Sequence, residues 1–316
     1  MTGQTRRNWL LKSAGAAAAL ALTPAEALAQ QKIITRAIPS TGEKVPVIGL
    51  GSSATFSQVA RTDDVAALKE VMSTLVQHGG KVFDTAPSYG ASEEVAGDIA
   101  AEAGLTEKIF WATKLNVARR GGSADPAEAR AQIETSFQRL KKSKIDLIQV
   151  HNLADLPTQL PILKDLKAKG KVRYIGVTTT SEQQYPLLLE TMRKEPLDFI
   201  GVDYAIDNRE VEAEVLPLAV ERKIGVLVYV PFGRTRLFRR VGDRKLPDWA
   251  AEFDAKTWAQ FFLKFVVAHP AVTAVTPATS KAKNMLDNIG GGVGRLPSPD
   301  TLKRMVEYVE ALPTAG

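Results

Sequence analysis

An acid, a phenol, an amine and an imidazole recur along this 316-residue chain at positions from which they can be brought together. Asp84 and Tyr89 lie in KVFDTAPSYG, Lys114 ends IFWATK, and His151 ends IDLIQVH. Asp84, Lys114 and His151 each close a short run rich in β-branched and aromatic residues, and such runs bounded by turn signals predict buried strands. Side chains alternate faces along a strand, so Lys114 shares a face with Ala112 and Phe110, Asp84 with Val82, and His151 with Gln149. Trp111 and Thr113 point the other way, which predicts Trp111 packed against outer helices. Tyr89 falls beyond its strand, on a loop able to lean over the strand ends. This set suits proton transfer. A lysine paired with Asp84 stays charged, and a charged lysine beside a phenol favours the phenolate, which would tune Tyr89 as a general acid. The same pairing argues against a Schiff-base role for Lys114, which needs a depressed pKa. His151 would polarise a substrate carbonyl. Strand ends at His151 and Tyr229 do not offer the two carboxylates a glycosidase requires.

The elements that must position these residues alternate. Strand-like runs are VPVIGL, KVFDTA, IFWATK, IDLIQVH, VRYIGVT, LDFIGVDY, IGVLVYV and AVTAVTP. Helical patterns fill the gaps, at 62–77, 92–103, 126–141, 159–169, 181–194, 210–222, 254–268 and 281–289, with a last helix at 299–312. This predicts an α/β fold, a closed (β/α)8 TIM barrel over residues 30–316, with an N-terminal β-hairpin turning at STGE. Asp125 before Pro126 marks a helix start, and Thr62 and Ser181 are further capping candidates. GLGSSA fits a G-x-G-x-x-A pattern, but no helix opens on its glycines, so Gly49 and Gly51 read as a tight turn at the barrel mouth and not as a Rossmann site. IGGGVGR near residue 290 reads as a flexible loop.

Composition narrows the class. The chain is 45% hydrophobic and 24% charged, with a formal charge of +6 spread along it and no basic run interleaved with aromatics. That composition is of a globular protein and disfavours nucleic acid as a partner. There is no cysteine, so neither disulfides nor thiolate chemistry is available. Residues 1–29 resemble a twin-arginine export signal. Arg6 and Arg7 precede an apolar stretch too short for stable membrane insertion, and AEALAQ offers cleavage after Ala29. The expected partner of the precursor is the twin-arginine export machinery, and the expected destination is the periplasm.

FDTAPSYG with the later lysine and histidine resembles the catalytic tetrad of the aldo-keto reductases, and the resemblance runs over about residues 32–312. It implies an oxidoreductase that reduces aldehydes or ketones with NADPH, NADH being possible. Tyr89 would give the proton, Lys114 held by Asp84 would lower its pKa, and His151 would orient the carbonyl. VYVPFGR is similar to the segment whose aromatic, here Tyr229, stacks on the nicotinamide, with Phe232, Gly233 and Arg234 along the pyrophosphate. TPATSKAKNMLDN resembles the adenosine-phosphate segment through Thr279, Ser280, Lys281, Asn284 and Asn288, and Gly51 would border the cofactor. The chain departs from the family pattern where the nicotinamide carboxamide is held. Thr178 and Thr179 replace a Ser-Asn pair, and Gly201 replaces a glutamine. Asn284 stands where a basic residue often meets the 2′-phosphate, with Lys281 and Lys283 nearby. A nicotinamide-binding or sensing barrel with little turnover is the second reading. Segment 231–254, which carries Phe232, Leu237, Phe238 and Trp249, is long enough to border a substrate pocket.

Overall fold

The computed structural model describes residues 32–53, 55–62, 65–118 and 122–313. The expected export signal and its expected cleavage site lie outside the described residues. The chain opens with the antiparallel hairpin β1 (Thr35–Ala37) and β2 (Lys44–Pro46). Eight parallel strands follow in sequential order: β3 (Leu50–Gly51), β4 (Val82–Asp84), β5 (Phe110–Leu115), β6 (Ile145–Val150), β7 (Val172–Thr179), β8 (Phe199–Asp203), β9 (Gly225–Tyr229) and β10 (Val272–Val275). Bridges Ile48–Val275 and Gly51–Ala278 join the first of these to the last and close the barrel. The eight predicted strands are therefore all present. The first is shorter than VPVIGL, because Val45 and Pro46 belong to the hairpin. The glycines of GLG do not make a turn. A Cβ at Gly51 would lie 2.5 Å from the Thr276 carbonyl oxygen, so glycine there permits the backbone approach that closes the barrel.

Two apolar clusters result from strand alternation. One lies between the strands and the surrounding helices and includes Trp111, whose indole N–H donates to the Thr106 carbonyl at 2.9 Å. The other fills the barrel itself with Val82, Phe110, Ala112, Leu147, Tyr174, Phe199, Leu227 and Ala274, and takes Ile38 and Val45 from the hairpin. The hairpin thus plugs the amino-terminal end of the strands. Polar ties fix it there. Arg173 pairs with Asp146 at 2.6 Å and with Glu43, which also accepts from the Tyr174 hydroxyl at 2.6 Å. Arg36 donates to the carbonyls of Val267, His269 and Val272.

The helix Pro126–Arg139 begins as expected, the Asp125 carboxylate accepting from the backbone N–H groups of Ala127 and Glu128. Ser181 makes no cap. A 3-10 turn at Glu182–Gln184 intervenes, and the α-helix starts at Tyr185. The IGGGVGR segment is not a loose loop. Residues 290–293 are buried, and the buried Lys264 ammonium donates to the carbonyls of Val293 at 2.5 Å and Arg295 at 2.9 Å. The long connection after β9 holds elements the pattern did not give, an α-helix at Arg236–Val241 and a 3-10 stretch at Asp248–Phe253. It is tied down by Arg236 to Asp207 at 2.7 Å and by Arg240 to the carbonyls of Glu310 and Leu312.

Candidate active site

The carboxyl ends of the strands open into a cavity of about 510 Å³ lined by, among others, Asp84, Tyr89, Lys114 and His151. Alternation places Asp84 and Lys114 inside the barrel as the last inward residues of β4 and β5. Lys114 Nζ donates to Asp84 Oδ2 at 2.7 Å and to the Thr85 carbonyl at 2.9 Å, and both side chains of this ion pair are almost fully buried. An ammonium has three N–H donors, so one remains. Tyr89 sits in a loop after β4 with its ring centroid 5.0 Å from Nζ, and the His151 ring meets it edge-on at 5.9 Å. His151 opens a short 3-10 turn directly after β6.

Burial sets the charge states. It works against the Lys114 ammonium, but Asp84 and Tyr89 more than offset it and hold the pKa above its ordinary value. Burial pushes the Asp84 carboxyl up, with Lys114 and Tyr229 opposing. His151 is pulled down to about 3 by burial and by the Lys114 charge, so it is a neutral imidazole at physiological pH. Tyr89 differs from the expectation. Lys114 does favour its phenolate, but desolvation is the larger effect and the pKa lies above the ordinary phenol value. Tyr89 is thus a protonated donor across the neutral range.

The other sequence-derived positions divide. Gly51, Thr178, Tyr229, Phe232 and Arg234 line the same cavity. Thr179 does not. It is the outward neighbour of Thr178, buried, with its hydroxyl accepting from the Ser181 N–H at 3.1 Å and donating to Gln184 Oε1 at 2.5 Å. Thr180, the next inward residue, lines the cavity instead. Gly233, Thr279, Ser280, Lys281, Asn284 and Asn288 are not among the lining residues, which end on that side at Thr276 and Ala278. Thr279 Oγ1 accepts from the Lys281 N–H at 3.1 Å just before the helix Ala282–Gly290, Lys281 and Asn284 are exposed, and Asn288 is buried. Of the four apolar residues singled out in the long connection, only Phe232 reaches the cavity, with Pro231 beside it. Leu237 is buried, Phe238 packs at a tilt on Phe232 and edge-on to Phe262, and Trp249 packs on Phe253, Phe261 and Tyr308.

Among the lining residues that sequence reasoning missed are Asn152, Thr180, Val230 and Thr235. The available signal was adjacency, since each follows a strand end already singled out. Backbone geometry marks the same places. Of the nine non-glycine residues with positive φ among the described residues, Asn152, Leu153 and Asp155 follow β6, and Val230, Arg234 and Thr235 follow β9. Strain concentrated on two loops of one rim is a mark of functional sites. No group of three or more His, Asp or Glu among the described residues could hold a metal ion, and no described helix is long and apolar enough to cross a membrane.

Comparison with known proteins agrees with this geometry. The aldo/keto reductase YhdN of Bacillus subtilis is 34% identical over 203 residues, a stretch that spans 61% of this chain and 60% of the relative. A probable aldo-keto reductase of Glycine max is 27% identical over 92% of both chains. Among solved structures, the fold matches a glycerol dehydrogenase from Gluconobacter oxydans with a TM-score of 0.71 at 24% identity, covering 88% of this chain and 95% of that one. It also matches an aldo-keto reductase from Klebsiella pneumoniae in complex with NADPH, with a TM-score of 0.69 at 22% identity over 88% and 95%. The sequence model of the aldo/keto reductase family matches residues 47–302, so the chain belongs to that family.

Proposed function

We propose that this protein is an NADPH-dependent carbonyl reductase that converts aldehydes or ketones to alcohols, with Tyr89 as the proton donor. The observation that carries the reading is the buried Lys114–Asp84 pair with Nζ 5.0 Å from the ring of a protonated Tyr89, beside a neutral His151. A bound nicotinamide would supply hydride to the carbonyl carbon. His151 donates a hydrogen bond to the carbonyl oxygen, and Tyr89 gives that oxygen its proton as negative charge develops there. Lys114 then stabilises the phenolate left behind, and Asp84 keeps Lys114 charged and in place.

The residues fit a dinucleotide unevenly. Arg234 lines the cavity and forms no ion pair among the described residues, which suits a phosphate. The left-handed run Gly233–Thr235 follows β9 on the same rim, and the exposed Lys281 and Asn284 at the start of the helix Ala282–Gly290 suit a second phosphate. At the nicotinamide end the fit is poorer. Gly201 has no amide to offer, and Thr178 Oγ1 already accepts from the Asn152 N–H at 3.1 Å. Asn152, which lines the same cavity, is the nearest residue with a side-chain amide. This gap favours the second reading, a nicotinamide-binding barrel with weak turnover.

Fluorescence titration with NADPH and NADH, followed by turnover on an aldehyde panel, separates the two. The reductase reading expects Tyr89→Phe to lose turnover while cofactor affinity is kept. Full activity in that variant would exclude Tyr89 as the donor, and tight binding by the wild type with no oxidation of cofactor would favour the sensing barrel. Residues 1–29 support an exported, periplasmic form of the enzyme. Replacing Arg6 and Arg7 with lysine should retain the protein in the cytoplasm, and unchanged fractionation would sink that assignment.

A further inference from the structure

Gly201 and Tyr229 lie on neighbouring strands, β8 and β9, on the inward face near the carboxyl rim. A Cβ placed on Gly201 would lie 2.4 Å from Tyr229 Cε2, 2.6 Å from its hydroxyl oxygen and 2.7 Å from Cζ. No side chain fits there while the ring holds this position, because carbon atoms in ordinary contact stand about 3.5–4.0 Å apart. The absence of the glutamine and the placement of the tyrosine are one feature. The ring lies across Gly201 and carries its hydroxyl into the barrel. There the hydroxyl accepts from Gln149 Nε2 at 2.7 Å and donates to Asp84 Oδ1 at 3.1 Å. The ring centroid is 5.2 Å from Lys114 Nζ, close to the 5.0 Å that separates Nζ from the Tyr89 ring. The Asp84 carboxylate is therefore clamped on both oxygens, by Lys114 on Oδ2 and by Tyr229 on Oδ1.

We propose that Tyr229 is a positioning residue of the catalytic group, its hydroxyl fixing the Asp84 carboxylate against Lys114, and that Gly201 is glycine because this ring must lie on it. The proposal deepens the reductase reading and rests on Tyr89 being the proton donor. A hydroxyl donating to a buried carboxylate shares its negative charge and fixes its orientation. With that hydroxyl gone, more of the Asp84 charge is felt at Tyr89, and the Lys114 ammonium is drawn toward the carboxylate. Both changes disfavour the Tyr89 phenolate. The charged and titratable groups facing Tyr89 are Lys114, Asp84 and Arg234, with neutral His151 edge-on to its ring and the Tyr229 phenol behind the ion pair. The Tyr229 phenol is itself pushed well above its ordinary pKa by burial and by Asp84, so it serves as a donor and not as a second phenolate.

The test uses the whole protein without cofactor. Tyrosine labelled with carbon-13 at Cζ allows the ionisation of Tyr89 to be followed by NMR, its resonance assigned by its loss in Tyr89→Phe. In Tyr229→Phe, which keeps the ring on Gly201, the Tyr89 midpoint should rise by about half a pH unit or more, and kcat for carbonyl reduction should fall by about tenfold with KM changed less. Gly201→Ala should produce the same rise by displacing the ring. An unchanged or lowered midpoint in Tyr229→Phe overturns the positioning role. An unchanged midpoint in Gly201→Ala overturns the steric coupling. The reductase reading is judged separately. Turnover of carbonyls by the wild type with no midpoint shift in Tyr229→Phe removes this proposal alone. A midpoint shift in a protein without turnover leaves the positioning intact and removes the reductase reading.

Discussion

At the amino-terminal end of the barrel, Arg173 is paired with both Asp146 and Glu43, Tyr174 donates to Glu43, and Phe110, Tyr174 and Phe199 pack with Ile38 and Val45 of the hairpin. At the carboxyl end, Gln149 Oε1 and His151 Nδ1 are buried without a partner, and Arg234 forms no ion pair among the described residues. Unpaired buried polar atoms cost stability, and the positive-φ residues after β6 and β9 add strain at the same end. The hairpin end is close-packed with its barrel-facing charges paired, and the unpartnered atoms near it, His78 Nδ1 and Ser136 Oγ, belong to the outer helix ends. The other carries unfilled hydrogen-bonding capacity around the buried Lys114–Asp84 ion pair. The contrast shows where the fold draws its stability and where it keeps groups for a ligand.

Substitution tests this contrast from both sides. The largest effect is expected from Lys114→Met, which leaves Asp84 buried without its cation. That should destabilise the protein by about 3–5 kcal/mol and also stop turnover, and denaturant unfolding with an activity assay measures both. Asp84→Asn combined with Lys114→Met should recover much of the stability and none of the activity. A similar or slightly smaller stability loss, about 3–5 kcal/mol, is expected from Phe199→Ala in the barrel interior. There the remaining folded fraction should keep its normal KM, because the site lies at the opposite end. A change in KM as large as the change in unfolding midpoint would show the two ends to be coupled.

The smallest and sharpest effect concerns pH. His151 titrates at about 3 and Tyr89 above the ordinary phenol value. In the proposed mechanism carbonyl reduction needs His151 neutral and Tyr89 protonated, so its rate should be flat from about pH 5 to pH 8. The reverse oxidation of an alcohol would need the Tyr89 phenolate and should climb with rising pH through the alkaline range. An inflection near the usual histidine value in the reduction profile would show that His151 is solvated in the working enzyme.

The strands could be read from the sequence because buried parallel strands are nearly continuous apolar runs, and alternation then placed Asp84, Lys114 and His151 on one rim. What stayed hidden depends on contacts between strands or on burial. Thr179 looks equivalent to Thr178 until the inward face is fixed, and the bond to Gln184 that claims it comes from a turn with no apolar signature. The direction of the Tyr89 shift follows from a balance of desolvation against Lys114, and only the second half of that balance is visible in a string of letters. Gly201 read as a missing glutamine. Its meaning required the position of Tyr229, 28 residues away in sequence and one strand over.

The hairpin has a practical corollary. The chain enters at the plugged end, where the Ile34 N–H bonds to the Gly292 carbonyl and Arg36 grips the carbonyls below β10. Attachment to a solid support through a handle placed before residue 32 would leave the cavity facing away from the matrix. An electrode or bead carrying the enzyme in this orientation should present every mouth to the flowing solution.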